Sequence, residues 1–173
     1  MKGFTERCLN MQGFDELPSG EEVRYAAMLR WTPAACTSLV VTGLVLQSPL
    51  ILGATAAFAL FGSLMPAAHP LDVFYNLTAA RVLRTGPLPP SPAPRRFAAG
   101  IKSLPLGFAA VLMQVGQWQA ATVIGAALAV VGIVAAATCW DLGSWMYRRL
   151  VQAMPVVLTR VLAPAVVRRD ADK

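Results

Sequence analysis

Hydrophobic and polar positions in this chain are segregated into long segments. From Trp31 to Ala68 there is no Asp, Glu, Lys, Arg or His over 38 residues, and a second such run of 38 extends from Ser103 to Trp140. As a single helix each run would be roughly 57 Å long, against a bilayer hydrocarbon core of about 30 Å. Each therefore reads as two apolar helices joined by a tight turn. Ser48-Pro49 interrupts the first run and Gly116-Gln117 the second, both being combinations that stop helices. The pattern predicts an all-α polytopic membrane protein with four transmembrane helices arranged as two hairpins. Their expected starts and ends are Trp31 to about Gln47, about Leu50 to Ala68, about Phe97 to Val115, and Trp118 to about Trp140.

The segments outside these helices divide the rest of the chain. Residues 1–30 form a polar head, 31–68 the first hairpin, 69–96 a connection, 97–140 the second hairpin and 141–173 a basic tail. The head shows no basic start followed by an apolar stretch and a small-residue cleavage site, so it is not read as a signal peptide. Two glutamates, Glu21 and Glu22, follow Ser19-Gly20, as expected at the start of a helix. In the connection, Leu71, Phe74, Tyr75, Thr78 and Val82 recur at helical spacing, with Arg81 and Arg84 alongside. That is the pattern of an interfacial amphipathic helix. Gly86 to Pro94 is too proline-rich for a helix and reads as an extended segment,. Within the tail, 156–167 could form a further surface helix interrupted by Pro164. The two hairpins match in length without residue-by-residue similarity, and no internal repeat is inferred.

Composition adds orientation. Charged residues make up 14% of the chain, against about 25% in soluble globular domains, and the abundance of apolar residues excludes disorder. The net charge of +6 comes from 15 Lys and Arg, all in the head, the connection, the start of the third helix or the tail. The two short turns have none. Positive residues collect on the cytoplasmic side, which places both termini and the connection there. Trp31, Trp118, Trp140 and Trp145 fall at helix ends, where aromatic belts form. Arg81, Arg84, Arg95, Arg96, Lys102, Arg148 and Arg149 are assigned to anionic lipid headgroups,. Lys102 is the one charge inside an expected span, and the spans offer it no acidic partner at similar depth. A lysine so near the end of a span can snorkel to the surface, and a charge-relay transporter is disfavoured.

Candidate chemistry is sparse. Nucleotide-binding loops, nucleophile elbows and zinc motifs are absent from the sequence,, and no cofactor or nucleic-acid partner is expected. Cys8, Cys36 and Cys139 show no metal spacing and no disulfide framework,. His69 and Asp72 after the second helix, with Cys139 and Asp141 after the fourth, are weak metal or catalytic candidates if they converge,. Small residues are more numerous. Ala121, Gly125 and Ala129 share one face of the fourth helix, and Gly53 with Ala57 and Ala59 with Ser63 do so on the second. Such faces let membrane helices approach closely, either within the chain or against another subunit.

Three motifs resemble the bacterial domain-of-unknown-function 4395 family of small membrane proteins. They are Glu22-Val23-Arg24-Tyr25-Ala26-Ala27 before the first span, Pro92-Ala93-Pro94-Arg95-Arg96-Phe97-Ala98 opening the second hairpin, and Asp141-Leu142-Gly143-Ser144-Trp145-Met146-Tyr147 closing the last span. The resemblance covers roughly Glu21 to Tyr147 and implies a four-span fold in a bacterial inner membrane. It implies no activity. Where members often carry Cys-x-x-Cys, this chain has Asp141 and Ser144, so a thiol role of that pair is not available to it. The reading is a non-catalytic accessory or structural subunit that packs against other membrane subunits. The alternative is a small redox or metal-dependent helper enzyme working at the cytoplasmic ends of spans two and four.

Overall fold

The computed structural model describes Glu6 and residues 9–14, 22–65, 69–83 and 86–151. All regular structure among them is helical. The elements are α1 (Glu22–Leu29), α2 (Trp31–Val45), α3 (Pro49–Leu64), α4 (Pro70–Leu77), α5 (Ala79–Leu83), α6 (Ala93–Gln114), α7 (Trp118–Thr138) and α8 (142–151). The surface helix expected in the tail and Arg84 lie outside the described residues.

Among the described residues three helical stretches are long and apolar enough to cross a membrane: Arg24–Val45, which joins α1 to α2, then α6 and α7. The fourth apolar helix, α3, has only 16 residues. Its start is dictated locally. Ser48 is extended and its side chain accepts a hydrogen bond from the Ile51 N–H at 3.4 Å, while Pro49 takes the first helical position, where its missing N–H costs nothing. The other tight turn closes through Gly116, whose φ of 83° suits a residue without Cβ.

Helices α2, α3, α6 and α7 form a closed ring of neighbours, with the α3–α6 interface the most extensive. Close approaches fix the register. Gly53 faces Ala110, Gly107 faces Ala56 and Gly100 faces Ser63, so α3 and α6 run antiparallel. Likewise Gly125 meets Leu44 and Gly132 meets Thr37, which makes α2 and α7 antiparallel. Ala121, Gly125 and Ala129 are buried, their face being turned into the chain's own bundle. On α3, Ala59 is buried and Gly53 and Ser63 are half-buried, but Ala57 is exposed. The inner surface is filled by Val40, Leu52, Ala56, Leu106, Ala109, Ala110, Met113, Ala121 and Ala129. Large apolar side chains such as Leu60, Phe61, Phe108, Val111, Val123 and Val130 face outward, the arrangement a hydrocarbon solvent favours.

A second apolar cluster caps one end of the bundle. Leu9, Phe14, Ala26, Met28, Leu29, Tyr75, Ala80, Leu88 and Cys139 pack together there. Trp31 and Tyr75 join it through a tilted ring contact at 5.6 Å. The connection departs from the expected single amphipathic helix. It breaks at Thr78, and its buried face is Asp72, Tyr75 and Ala80, while Phe74, Thr78 and Val82 are exposed. Residues 86–92 carry no regular structure, and the extended segment expected from Gly86 to Pro94 is cut short because Ala93 and Pro94 open α6, where a proline is tolerated. Helix α6 starts at Ala93, four residues before the expected Phe97, and carries Arg95 and Arg96 in its first turn.

Candidate functional site: a charged vestibule in the bundle end

The charged residues of the bundle gather where α2 and α6 begin and α3 and α7 end. His69 caps α4, its Nδ1 accepting from the Leu71 N–H at 3.3 Å, with Pro70 in the first helical position. The ring lies over Gly62, where a Cβ would fall 2.0 Å from His69 Cδ2. Burial works against the charged ring more strongly than nearby Asp72 supports it, and the His69 pKa is lowered from the ordinary 6.5. Because Nδ1 accepts a bond, the neutral ring carries its proton on Nε2.

Asp72, in the first turn of α4, is buried among polar groups from three other segments. Its Oδ1 accepts from the Thr32 hydroxyl, and its Oδ2 accepts from the Ser91 hydroxyl at 3.4 Å. Arg95 completes the cluster: its Nη2 donates to Thr32 Oγ1 at 2.9 Å and lies 3.8 Å from Asp72 Oδ1. The Arg95 side chain is 13% exposed, and its Nη1 is buried without a hydrogen-bond partner among the described residues.

Two turns further along α6 from Arg95, Lys102 forms an ion pair with Asp141. Asp141 Oδ2 also accepts from the Ser144 N–H at 3.0 Å and from its hydroxyl at 2.8 Å, which makes Asp141 the N-cap of α8. Burial penalises the Asp141 charge. The Lys102 ammonium and the Ser144 hydrogen bonds outweigh it and hold the carboxyl below its ordinary 3.8. The absence of an acidic partner for Lys102 expected from the spans is thus corrected by a residue just beyond α7. Cys139, with φ 56°, turns the chain so that Asp141 comes back beneath α6.

The two networks line a single cavity of about 120 Å³, whose walls include His69, Ser91, Arg95, Arg96, Lys102 and Asp141 at one end and Val40, Leu106 and Leu128 further in. Other cations expected at headgroups also have protein partners. Arg96 donates to the Ser63 and Leu64 carbonyls at 3.0 Å each, satisfying the end of α3. Arg148 donates to the carbonyl of Met11 at 3.0 Å and to that of Asn10. Exposed carbonyls at a helix end or turn are better partners at this depth than water further away. Arg149 lies over the Trp145 ring at 5.5 Å, and Arg81 is exposed.

The four weak candidates do not form one centre. His69 and Asp141 share the cavity wall, and Asp72 lies behind it, paired with Arg95 of that wall. Cys139 is turned elsewhere: its Sγ accepts from Arg30 Nε at 3.2 Å and approaches the Ala26 carbonyl at 3.6 Å. Among the described residues no group of three His, Cys, Asp or Glu could hold a metal ion. Thr32, Ser91 and Ser144 were absent from the sequence-based candidates. Only Ser144 had a legible signal, an Asp three residues before it at the start of a helical run.

Residues 26–152 match the family model described as a domain of unknown function, DUF4395. The chain belongs to the DUF4395 family. No curated protein and no solved structure matches it. In this DUF4395 protein the Asp141–Ser144 pair, which stands where the resemblance places Cys-x-x-Cys, caps α8 and anchors Lys102.

Proposed function

We propose that this DUF4395 protein is a non-catalytic subunit of a bacterial inner-membrane complex. It crosses the bilayer four times as two hairpins, α2–α3 and α6–α7, with both termini and the charged vestibule on the cytoplasmic side. The distribution of Lys and Arg supports that orientation,. The redox or metal-dependent helper is the weaker reading, because Cys139 bonds away from His69 and Asp141.

The observation that carries the subunit reading is the length of α3. Its 16 residues span roughly 24 Å, short of a hydrocarbon core of about 30 Å. A short helix is accommodated by thinning the bilayer or by associating with a neighbour. The outer face of α3 suits association, with Ala57 exposed beside Leu60, Phe61 and Leu64. The small residues of α7 give no such support, since Ala121, Gly125 and Ala129 are used inside the bundle.

A photo-crosslinking residue at Phe61, compared with one at Val130, tests this in native membranes. Crosslinks from Phe61 to another integral membrane chain, with none from Val130, are the expected result. A protein that stays monomeric in mild detergent and yields only lipid adducts from both positions overturns the subunit reading.

A further inference from the structure

The vestibule has an unfilled hydrogen-bonding requirement and a graded lining. Arg95 spends Nη2 on Thr32 and Asp72 and leaves Nη1 buried with no acceptor among the described residues. A buried donor without a partner bears its full desolvation cost; Arg95 lines the cavity, and a turn of its guanidinium toward an acceptor bound there would remove that cost. His69 adds a second donor to the same wall, since its Nδ1 is occupied and its Nε2 is protonated,.

Charge favours an anion as that acceptor. Arg95 and Lys102 are balanced by Asp72 and Asp141. Among the described residues Arg96, also in the wall, is bound to carbonyls only, and their lining retains one positive charge. The inner half of the cavity is lined mainly by apolar side chains, and the Thr37 and Thr55 hydroxyls there donate to the Pro33 and Ile51 carbonyls. Beyond Val40 and Leu106 the bundle is filled by Leu52, Ala109, Met113 and Ala121, so the cavity ends within the bundle.

We propose that this vestibule binds a small monoanionic amphiphile, a short-chain carboxylate whose head accepts from the Arg95 guanidinium and whose tail lies among Val40, Leu106 and Leu128. A bare anion would leave the apolar half unfilled, and a neutral amphiphile would leave the positive charge unmet. The inference is independent of whether the protein is a subunit of a complex.

The test uses the full-length protein in detergent micelles, with hexanoate, acetate and 1-hexanol as probes and calorimetry and thermal unfolding as readouts. Hexanoate is expected to bind saturably and raise the unfolding midpoint, with acetate and hexanol at least about tenfold weaker. Arg95→Gln is expected to weaken hexanoate about tenfold or more, the equivalent of about 1.4 kcal/mol. Leu128→Phe leaves the Arg95 network intact and fills the inner cavity, and it is expected to cause a similar loss. Equal affinity for hexanoate and hexanol, or for hexanoate and acetate, overturns the proposal. So does unchanged hexanoate binding in Leu128→Phe, a result that decides the matter even if Arg95→Gln fails to fold.

Discussion

Lys102 and Asp141, 39 positions apart, form an ion pair that ties the first half of α6 to the turn after α7. The same carboxylate caps α8 through Ser144, so one side chain fastens three helices. Asp141→Asn should keep the cap, because Asn caps as well as Asp, while leaving Lys102 without its counter-charge. Removing one partner of a fully buried pair costs about 3–5 kcal/mol. Lys102 is 32% exposed, so solvent screening reduces the expected loss to about 1–3 kcal/mol. Thermal unfolding of Asp141→Asn, Lys102→Met and the double variant checks this. The double variant should lose less than the sum of the two singles; strict additivity would mean that the pair is not coupled.

Acidification should act in two windows. The His69 pKa is lowered by burial, so the unfolded chain binds a proton more readily than the folded one. That contribution to stability is fully present above the ordinary value of 6.5 and declines as pH falls below it,. The Asp141 pKa is also lowered, through Lys102 and Ser144 against the opposing effect of burial. Its contribution is present above the ordinary 3.8 and is lost as pH falls through the folded value,. Unfolding midpoints measured from pH 7.5 to pH 3 should therefore fall gently below about 6.5 and more steeply below about 4. In His69→Asn the upper slope should vanish and the lower one remain. An unchanged upper slope in that variant would assign it to another group.

Much of the bundle was legible because charge is so costly in hydrocarbon. The empty runs Trp31–Ala68 and Ser103–Trp140 bracket α2, α3 and α7 and most of α6. The site was less legible, for a related reason. Arg95 and Arg96 sit in the first turn of α6 and Lys102 within its first half, where sequence position alone does not separate a headgroup contact from a bond to another segment. Their partners come from distant segments: Asp72 across the connection, Ser63 and Leu64 at the end of α3, and Asp141 beyond a left-handed Cys139. The break at Thr78 was likewise hidden. Of the apolar stripe Leu71, Phe74, Tyr75, Thr78 and Val82 the fold buries Tyr75, together with Asp72 from outside the stripe, and leaves Phe74, Thr78 and Val82 exposed.

Glycines in the bundle should differ sharply in their tolerance of a methyl group. A Cβ at Gly143 would fall 2.6 Å from the Ala98 Cα, and backbone cannot yield without moving α8 off α6. Gly143→Ala should cost about 1–3 kcal/mol, the range for overpacking. At Gly125 the obstruction is the flexible end of Leu44, at 2.7 Å, so the loss should be smaller. Gly107 has its nearest atom, Ala56 Cβ, at 3.9 Å. There the better helix propensity of alanine should raise stability by up to about 1 kcal/mol. Thermal midpoints of the three variants in one detergent check the order, and a destabilising Gly107→Ala would contradict the α3–α6 register.

The turn between α2 and α3 offers a gain in stability far from the vestibule. Gln47 has φ 47°, a left-handed conformation that costs a residue with a Cβ roughly 1 kcal/mol or more. Its side chain is exposed, and its backbone N–H bonds the Leu44 carbonyl at 3.1 Å. The following Ser48 N–H bonds the Gly43 carbonyl at 2.8 Å, which completes the end of α2. Glycine keeps both backbone bonds and removes the strain. It also gains freedom in the unfolded chain, which offsets part of the benefit. Gln47→Gly should therefore raise stability by about 0.5 kcal/mol, while Gln47→Val should lower it by more, a β-branched side chain being the worst fit to positive φ. Unfolding midpoints of the two variants should move in opposite directions, and hexanoate affinity should remain that of the parent protein in both. A lower midpoint for Gln47→Gly would show that this turn is not left-handed at residue 47.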